Sequence, residues 1–424
     1  MQQMIPQILR RFHRYGIHRR NQFLIGGILI ALMLAGCGSR TAKPQVELTM
    51  WLVGSEAQAR TINTLAEPFT KRTGIHIRCE AISWGEAHSK YLTAVAGAVE
   101  PDIGTMGLTW GIEFGRLGAL VDLKQAFPDD IAAVQRGTFP GLWDSIEQGG
   151  HAFGIPFDLT LQVLYYRTDI LPKPPQTWEE LTDTLTRLRQ DGRRMIIDWG
   201  NLSWIGYAPF LWEAAGDFYN AEKTAAAMTS PQAIQAMEFF RDLYMRYDVP
   251  RTSIPIEQGL RTGEFPLVLS GNWKIVSLTV GVPELAGKWA IGMLPQGPGG
   301  KRTAFLGGRI MGIFARSAHQ AEAWQFLRYL SEPSVQQQLY QAGLQTQDAY
   351  LPSNVESWDA LPLEPSMKAV LKQQAHEAKG PPAASGWTET TNVLESAIQR
   401  VILRGADPKA ELAKVSDAMN RTRQ

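Results

Sequence analysis

The chain has 424 residues, enough for two domains. Lysine and arginine number 42 and aspartate and glutamate 41, and this balance excludes the clustered basic excess of a nucleic-acid-binding protein. Two cysteines exclude a disulfide scaffold, and 44% hydrophobic with 20% charged residues is a globular rather than a disordered composition.

The N-terminus is basic and then apolar. Residues 1–22 carry five arginines and no acidic residue, and residues 23–34 form an uncharged apolar run too short to span a bilayer comfortably. With the small residues before Cys37 this predicts a secretory signal, and an uncleaved signal anchor is the alternative. Leu34-Ala35-Gly36-Cys37 resembles the lipobox of bacterial lipoproteins. The resemblance implies a signal peptide at 1–36, lipidation of Cys37 and a tether at 37–45.

The segment after the tether is patterned as a βαβ unit. Residues 46–52 alternate as a strand with one face inward, a helix begins near Glu56 and ends at Gly74, and residues 75–82 alternate again. Another short strand is predicted at 101–106. This order predicts a parallel sheet flanked by helices.

Later elements are predicted from helix caps and apolar runs. Thr177–Glu180 is a capping box, Ser230-Pro231 is an N-cap followed by proline, and Ser317–Gln320 begins a third helix. Strand-like segments lie at 265–270, 289–294 and 310–315, and a last helical region follows Trp387.

The sequence holds little catalytic chemistry. It has no His-Glu-x-x-His or paired-cysteine metal motif and no Gly-x-Ser-x-Gly elbow. Gly297–Lys301 is not a phosphate loop, because Pro295 and Arg302 stand where glycine and serine or threonine are required. We therefore expect no enzyme activity, no cofactor and no metal.

Five groups of motifs occur in an order typical of one known family. They are Trp51 with the helix after it; Pro101-Asp102-Ile103 to Trp110 with Phe114–Leu123; Gly154-Ile155-Pro156, Leu164–Asp169 and Pro174–Leu181; Thr262–Phe265 with Ser270-Gly271-Asn272-Trp273; and Leu294–Gly297, Leu306-Gly307-Gly308 and Ala323–Leu327. With them the chain resembles the extracellular solute-binding proteins of ABC importers, in particular those that bind sugars such as maltose and trehalose. The matches span residues 46–330.

The resemblance implies an α/β, two-lobed periplasmic-binding-protein fold of type II, with a mixed sheet flanked by helices in each lobe and a hinge between them. We expect lobe 1 at 46–156 and 297–331 and lobe 2 at 157–296 and 332–424. The chain is expected to pass between lobes near 154–159, near 294–296 and near Ser331. Ligand would bind between the lobes and stabilise the closed form.

The candidate ligand contacts follow from what a sugar offers, namely hydroxyls and apolar ring faces, which need polar side chains and aromatic rings. Trp110 lies just past a strand end, and Trp273 stands in a motif whose tryptophan stacks on ligand in the sugar-binding relatives; core packing is the alternative for both. Asp158 and Thr160 follow the first passage, where relatives place polar contacts, although Asp158 could instead cap a turn.

Further candidates have equally plain alternatives. Glu56 begins a helix, where a carboxylate also stabilises the helix dipole. Gly308 allows backbone to approach a ligand or merely makes a turn. Trp387, before the late helix, stands where it can close the cleft. Arg309 stands where some relatives carry tryptophan, and Gly107 where some carry aspartate. Arg309 would pair with an anionic or strongly polar solute if it points into the cleft, or else lies on the surface.

These features predict a monomeric, lipid-anchored binding protein on the periplasmic side or cell surface, which delivers a sugar or oligosaccharide to the transmembrane subunits of an ABC permease. Three alternatives are open. The same scaffold could bind a polyol glycoside or sugar acid, the chain could be a surface-anchored carbohydrate-active enzyme, or it could be a sensor that feeds a membrane kinase.

Overall fold

A computed structural model of the chain describes residues 46–384 and 386–421, so the predicted signal peptide, Cys37 and the tether lie outside the described residues. No helix within these ranges is both long and apolar enough to cross a membrane. In chain order the strands are β1 (Glu47–Val53), β2 (His76–Ile82), β3 (Ile103–Gly107), β4 (Glu147–Gln148), β5 (His151–Ala152), β6 (Ile155–Pro156), β7 (Asp158–Arg167), β8 (Met195–Ile197), β9 (Leu267–Gly271), β10 (Trp289–Gly292), β11 (Leu306–Gly307), β12 (Arg309–Ile313) and β13 (Leu351–Pro352).

Helices connect and cover these strands. They are α1 (Glu56–Thr73), α2 (Trp84–Gly97), α3 (Trp110–Arg116), α4 (Leu123–Ala126), α5 (Pro128–Arg136), α6 (Pro140–Trp143), α7 (Trp178–Gln190), α8 (Trp204–Glu213), α9 (Pro231–Met245), α10 (Ile256–Thr262), α11 (Lys274–Gly281), α12 (Gln320–Leu330), α13 (Pro333–Thr346), α14 (Pro365–His376), α15 (Trp387–Arg404) and α16 (Pro408–Arg421), with short 3₁₀ turns at Pro283–Leu285 and Val355–Trp358.

The first sheet has the strand order β2-β1-β3-β12-β6. β1 pairs in parallel with β2 and β3, while β12 runs antiparallel to β3 and β6. The predicted βαβ unit is confirmed. Ser55 Oγ accepts the Gln58 N–H at 3.2 Å to begin α1, and Gly74 ends it at a φ of 78°.

The second sheet has the order β10-β7-β9-β8, and β11 and β13 pair with β7 as well. β7 is buried along nearly its whole length, as expected of a central strand covered on both faces. The capping signals predicted α7 and α9 correctly, since Thr177 and Ser230 accept backbone N–H groups from Glu180 and Ala233. The two-lobed α/β fold is thus confirmed, with one large sheet in each lobe, while β4 and β5 form a separate two-stranded sheet.

The chain passes between the two sheets at two neighbouring points and once more before β13. β6 of the first sheet leads through Phe157 into β7 of the second, as predicted. The return was predicted near 294–296, and this position is wrong. That segment stays in the second lobe, where the Gln296 carbonyl accepts the Trp178 N–H at 3.1 Å, and β11 still pairs with β7.

The return passage lies instead at Gly308, between β11 and β12, because the two-residue β11 keeps the chain in the second lobe. After Ser331, α13 still packs on α1, and the chain joins β7 again only at β13. The third passage therefore follows α13. The lobe ranges remain a proposal, in which we now place residues 297–307 in the second lobe.

Glu213 is a buried carboxyl group at the end of α8. Its Oε2 accepts the Trp178 Nε1–H at 2.6 Å, while its Oε1 has no hydrogen-bond partner among the described residues. Burial raises the pKa of the Glu213 carboxyl well above its ordinary 4.5, and the bond from Trp178 and attraction to Arg302 oppose this only in part. The folded protein therefore keeps a proton on Glu213 that the unfolded chain releases above about pH 4.5.

We expect Glu213→Gln to make the protein more stable at neutral and alkaline pH. In the wild type the folded state binds the extra proton, so the free energy of unfolding falls as pH rises from about 4.5 to the folded pKa, by up to about 1.4 kcal/mol per pH unit. Glutamine cannot titrate, so this loss should disappear. Urea unfolding at pH 5, 6.5 and 8 tests it, and equal losses of stability with pH in both proteins would show that Glu213 is ionised in the fold.

Candidate functional site

The edges of the two sheets that meet at the passages carry most of the predicted ligand contacts. The carboxyl ends of β1 and β3 and the start of β12 lie at one edge of the first sheet. The carboxyl ends of β8 and β9 and the start of β7 lie at one edge of the second. Loops beyond the carboxyl ends of strands are where open α/β sheets bind ligands. Glu56, Trp110, Gly308 and Arg309 belong to the first edge, and Asp158, Thr160 and Trp273 belong to the second.

Aromatic rings form a continuous surface at the edge of the second sheet, which we call the aromatic wall: Trp273, Trp199, Phe305, Trp204 and Trp387. Neighbouring ring centroids along this order are 4.8, 5.1, 5.2 and 5.1 Å apart. Trp199, Trp204 and Trp273 are half-buried, so part of each ring remains accessible. The three partly exposed rings are suited to covering apolar faces of a ligand, and the buried rings of Phe305 and Trp387 support them.

The end of the aromatic wall carries buried polar groups that have no hydrogen-bond partner among the described residues. Trp387 is buried against Trp204 and Phe218, yet its Nε1 has no hydrogen-bond partner among the described residues. The same holds for Thr390 Oγ1 and Ser203 Oγ. These three atoms are buried, so contact with a ligand would need a local rearrangement. Trp387 is both a core residue and a residue lining the space between the lobes.

The first lobe contributes a second surface, built on α2 and α3. Trp110 begins α3 and packs edge-on against Trp84 and His88, with centroids 5.9 and 5.1 Å away. His88 Nε2 lies 3.0 and 3.1 Å from the two carboxylate oxygens of Glu113. Leu117, just after α3, is 59% exposed. This surface therefore combines rings, aliphatic groups and one carboxylate.

A cavity of about 490 Å³ separates the two lobes. Leu92, Glu113 and Arg116 line it on one side, and Ala384, Trp387 and Glu389 on the other. Its volume lies within the range of small-molecule sites. The cavity supplies the concave site that the two surfaces require.

Asp158 and Arg309 are brought together as partners of each other. Arg309 Nε donates to Asp158 Oδ2 at 2.8 Å, its Nη2 donates to the same oxygen, and its backbone N–H donates to Oδ1 at 2.9 Å. Burial raises the pKa of the Asp158 carboxyl, and attraction and hydrogen bonds from Arg309 lower it. Arg309 is 2% exposed, so the alternative of a surface arginine is wrong. Ligand contact by these two residues stays a prediction, and in this structure their polar atoms bind protein groups.

The remaining candidates differ in how far they are accessible. Thr160 is buried in β7, beneath Gly307 and Trp199. Gly308 has a φ of 144°, which favours glycine, and a Cβ there would lie 2.3 Å from the Asp158 carbonyl oxygen. The need for glycine at position 308 is therefore explained by the passage of the chain between the lobes. Glu56 is exposed in the first turn of α1.

Sequence reasoning missed Trp199, Trp204 and Phe305, which occupy the middle of the aromatic wall. Trp199 and Trp204 follow β8, a strand of three residues that was not predicted. The apolar segment Met195–Ile197 is too short to be recognised as a strand from the sequence. The turn-forming residues in Asp198–Ser203 could have indicated that a strand ends before them.

Comparison with known proteins identifies relatives across most of the chain. The family described as bacterial extracellular solute-binding protein matches residues 64–368. A probable ABC transporter-binding protein of Deinococcus radiodurans is 24% identical over 355 residues, covering 77% of this chain and 81% of that protein. The sugar-binding protein MalE of Xanthomonas citri has a similar structure, with a TM-score of 0.78 and 22% identity. The match covers 89% of this chain and 97% of that protein. Maltose-bound MalE3 of T. maritima has a TM-score of 0.72 at 21% identity, and the match covers 89% of this chain and 99% of that one.

Proposed function

The chain belongs to the family of bacterial extracellular solute-binding proteins, and from that premise we propose that it captures a sugar or oligosaccharide outside the plasma membrane and delivers it to the permease of an ABC importer. The aromatic wall, whose last ring Trp387 lines the cavity between the two lobes, is the observation that carries this proposal. The structural relatives named above include a sugar-binding protein and a maltose complex.

The chemistry of the cleft suits a sugar. Trp273 and Trp199 offer ring faces for the apolar C–H surface of a pyranose. Glu113, Arg116 and Glu389, which line the cavity, supply partners for hydroxyl groups. A purely apolar ligand would leave these polar groups unpaired, at a cost in affinity.

Charge in the cleft favours a neutral solute over a sugar acid. The cavity lining holds Arg116 together with two carboxylates, Glu113 and Glu389. Arg309, which the sequence suggested as a partner for an anion, is already neutralised by Asp158. An acidic ligand would have to break that buried ion pair, which is costly. A neutral sugar or polyol glycoside therefore suits this site better than a sugar acid.

A panel of ligands tests this function. Maltose, trehalose, maltotriose, a polyol glycoside and a sugar acid are each added to the purified protein during thermal unfolding. We expect a neutral member to raise the unfolding temperature, since a ligand present at 100 times its Kd adds about 2.7 kcal/mol to stability. If the sugar acid alone stabilises the protein, the argument from Arg309 fails; if no member does, the assignment to sugars fails.

We propose that the protein binds its ligand without changing it. The relatives named above are described as binding proteins, which supports this. The rival is a carbohydrate-active enzyme. Chromatography of oligosaccharides after incubation separates the two, because a binding protein returns every oligosaccharide intact at any incubation time and an enzyme accumulates products.

We further propose that a lipid on Cys37 anchors the protein as a monomer at the periplasmic side or cell surface, beside the permease subunits. Cys37→Ala in the full chain is expected to abolish acylation and release the protein from the membrane fraction. Metabolic labelling with palmitate and fractionation measure both. Cys79→Ala is the matched control, because Cys79 is 5% exposed and lies in β2. Undiminished labelling of the Cys37 variant would contradict the lipid anchor.

A further inference from the structure

We propose that the buried Arg309–Asp158 ion pair sets the resting angle between the two lobes, so that both residues position the lobes instead of contacting ligand. The proposal rests on the two-lobed fold and needs no particular ligand. It accounts for the presence of a buried charged pair at a site where a sugar contact would otherwise be expected.

The pair lies where the two passages between the lobes run side by side. Asp158 is the first residue of β7 in the second sheet, and Arg309 is the first residue of β12 in the first sheet. Between them the Phe157 N–H donates to the Arg309 carbonyl at 2.8 Å. Any change in the lobe angle must rotate these two strand ends relative to each other.

The guanidinium group of Arg309 binds both lobes at once. Nε and Nη2 donate to Asp158, which begins the central strand of the second lobe. Nη1 donates to the Val53 carbonyl at 2.5 Å and to Gln58 Oε1 at 3.0 Å, at the end of β1 and the start of α1 in the first lobe. Because a guanidinium is planar, one group can satisfy all these acceptors only over a narrow range of angles.

Aromatic rings hold the guanidinium in place. Its central carbon lies 5.0 Å from the Phe157 ring centroid and 4.7 Å from that of Tyr350. Beside it, Ser55 Oγ donates to Asp348 Oδ2 at 2.8 Å, which ties the start of α1 to the segment after α13. Asp158 and Arg309 are 5% and 2% exposed, so water cannot replace these contacts without opening the hinge.

The alternative is that the pair stabilises the fold without affecting the angle. The chain offers a matched control for this. Arg167 is also buried, and it donates to Asp169 and, at 2.5 Å, to the Leu260 carbonyl, but all three residues belong to the second lobe. Arg167→Met therefore removes a buried guanidinium without touching the hinge.

Distances between the lobes in the unliganded full chain test the proposal. Spin labels on genetically encoded ketone side chains at exposed positions Ala96 in α2 and Gln235 in α9 report the angle by double electron–electron resonance. We expect one narrow distance distribution in the wild type and in Arg167→Met. Arg309→Met is expected to shift or broaden it by several ångströms, and Arg309→Lys and Asp158→Asn to do so to a lesser degree.

An unchanged distribution in the Arg309 and Asp158 variants, beside a lower unfolding temperature, would overturn the proposal and leave the pair a purely structural contact. If Arg309→Met does not fold, the two milder variants decide the matter alone. Since no ligand is present, the result does not depend on whether a sugar binds.

Discussion

Replacing Trp273 by alanine is expected to weaken binding of the stabilising sugar by roughly 30- to 150-fold, which corresponds to about 2–3 kcal/mol for a central aromatic contact. Trp273 follows β9 and forms one end of the aromatic wall. It is half-buried, and its ring centroid lies 4.8 Å from that of Trp199. The variant removes the ring face and one of the ring contacts of the neighbouring Trp199, which keeps its contact with Phe305. Titration calorimetry of wild type and variant against the same sugar measures the change.

Two further variants show whether the ring itself matters. Trp273→Phe keeps a smaller ring that can still stack, so the variant should lose less than roughly tenfold in affinity. Trp324→Ala removes a tryptophan of α12 that stacks on Phe127 in the first lobe, away from the cavity. It should lower stability with little change in affinity. If Trp273→Ala binds as well as Trp324→Ala, the aromatic wall does not contact the ligand.

Arg309→Met is expected to lower the free energy of unfolding by about 3–5 kcal/mol, because it leaves the Asp158 carboxylate buried without its partner. The carboxylate loses hydrogen bonds from Nε and Nη2 and keeps only backbone donation from residue 309. Urea unfolding measures the change. The slope of the unfolding free energy against urea concentration, compared between wild type and variant, shows whether the compactness of the folded or the unfolded state is altered.

The same substitution at an exposed ion pair is the control. Arg194 and Glu264 pair at side-chain exposures of 38% and 46%, so Arg194→Met should cost about 1 kcal/mol or less. Adding Asp158→Leu to Arg309→Met should recover part of the loss, since the unpaired charge is removed. An Arg309→Met that is no more costly than Arg194→Met would mean that the pair is solvated in solution.

Local signals in the sequence predicted the elements that depend on neighbouring residues. Gly74, Thr177 and Ser230 bound helices where expected, because a cap satisfies backbone groups within one turn. Trp273 was predicted from its motif Ser270-Gly271-Asn272-Trp273, whose tryptophan stacks on ligand in the sugar-binding relatives that the chain resembles. The order of the motifs then predicted the two-lobed fold.

Features that depend on distant residues were not predictable in this way. Asp158 and Arg309 are 151 positions apart, and nothing local to either indicates the other. The return passage was misplaced because β11 has only two residues, and its pairing with β7 is set by the sheet and not by its own sequence. Trp199 was missed for the same reason, because β8 is short.

The central claim is that two lobes close around a sugar and release it unchanged. Small-angle scattering at increasing ratios of the stabilising sugar, with recovery of that sugar by mass spectrometry, tests it in one experiment. We expect the radius of gyration to fall and to level off at one sugar per chain, with the sugar recovered intact. A radius that stays constant at saturation, or a sugar recovered in fragments, would contradict the account.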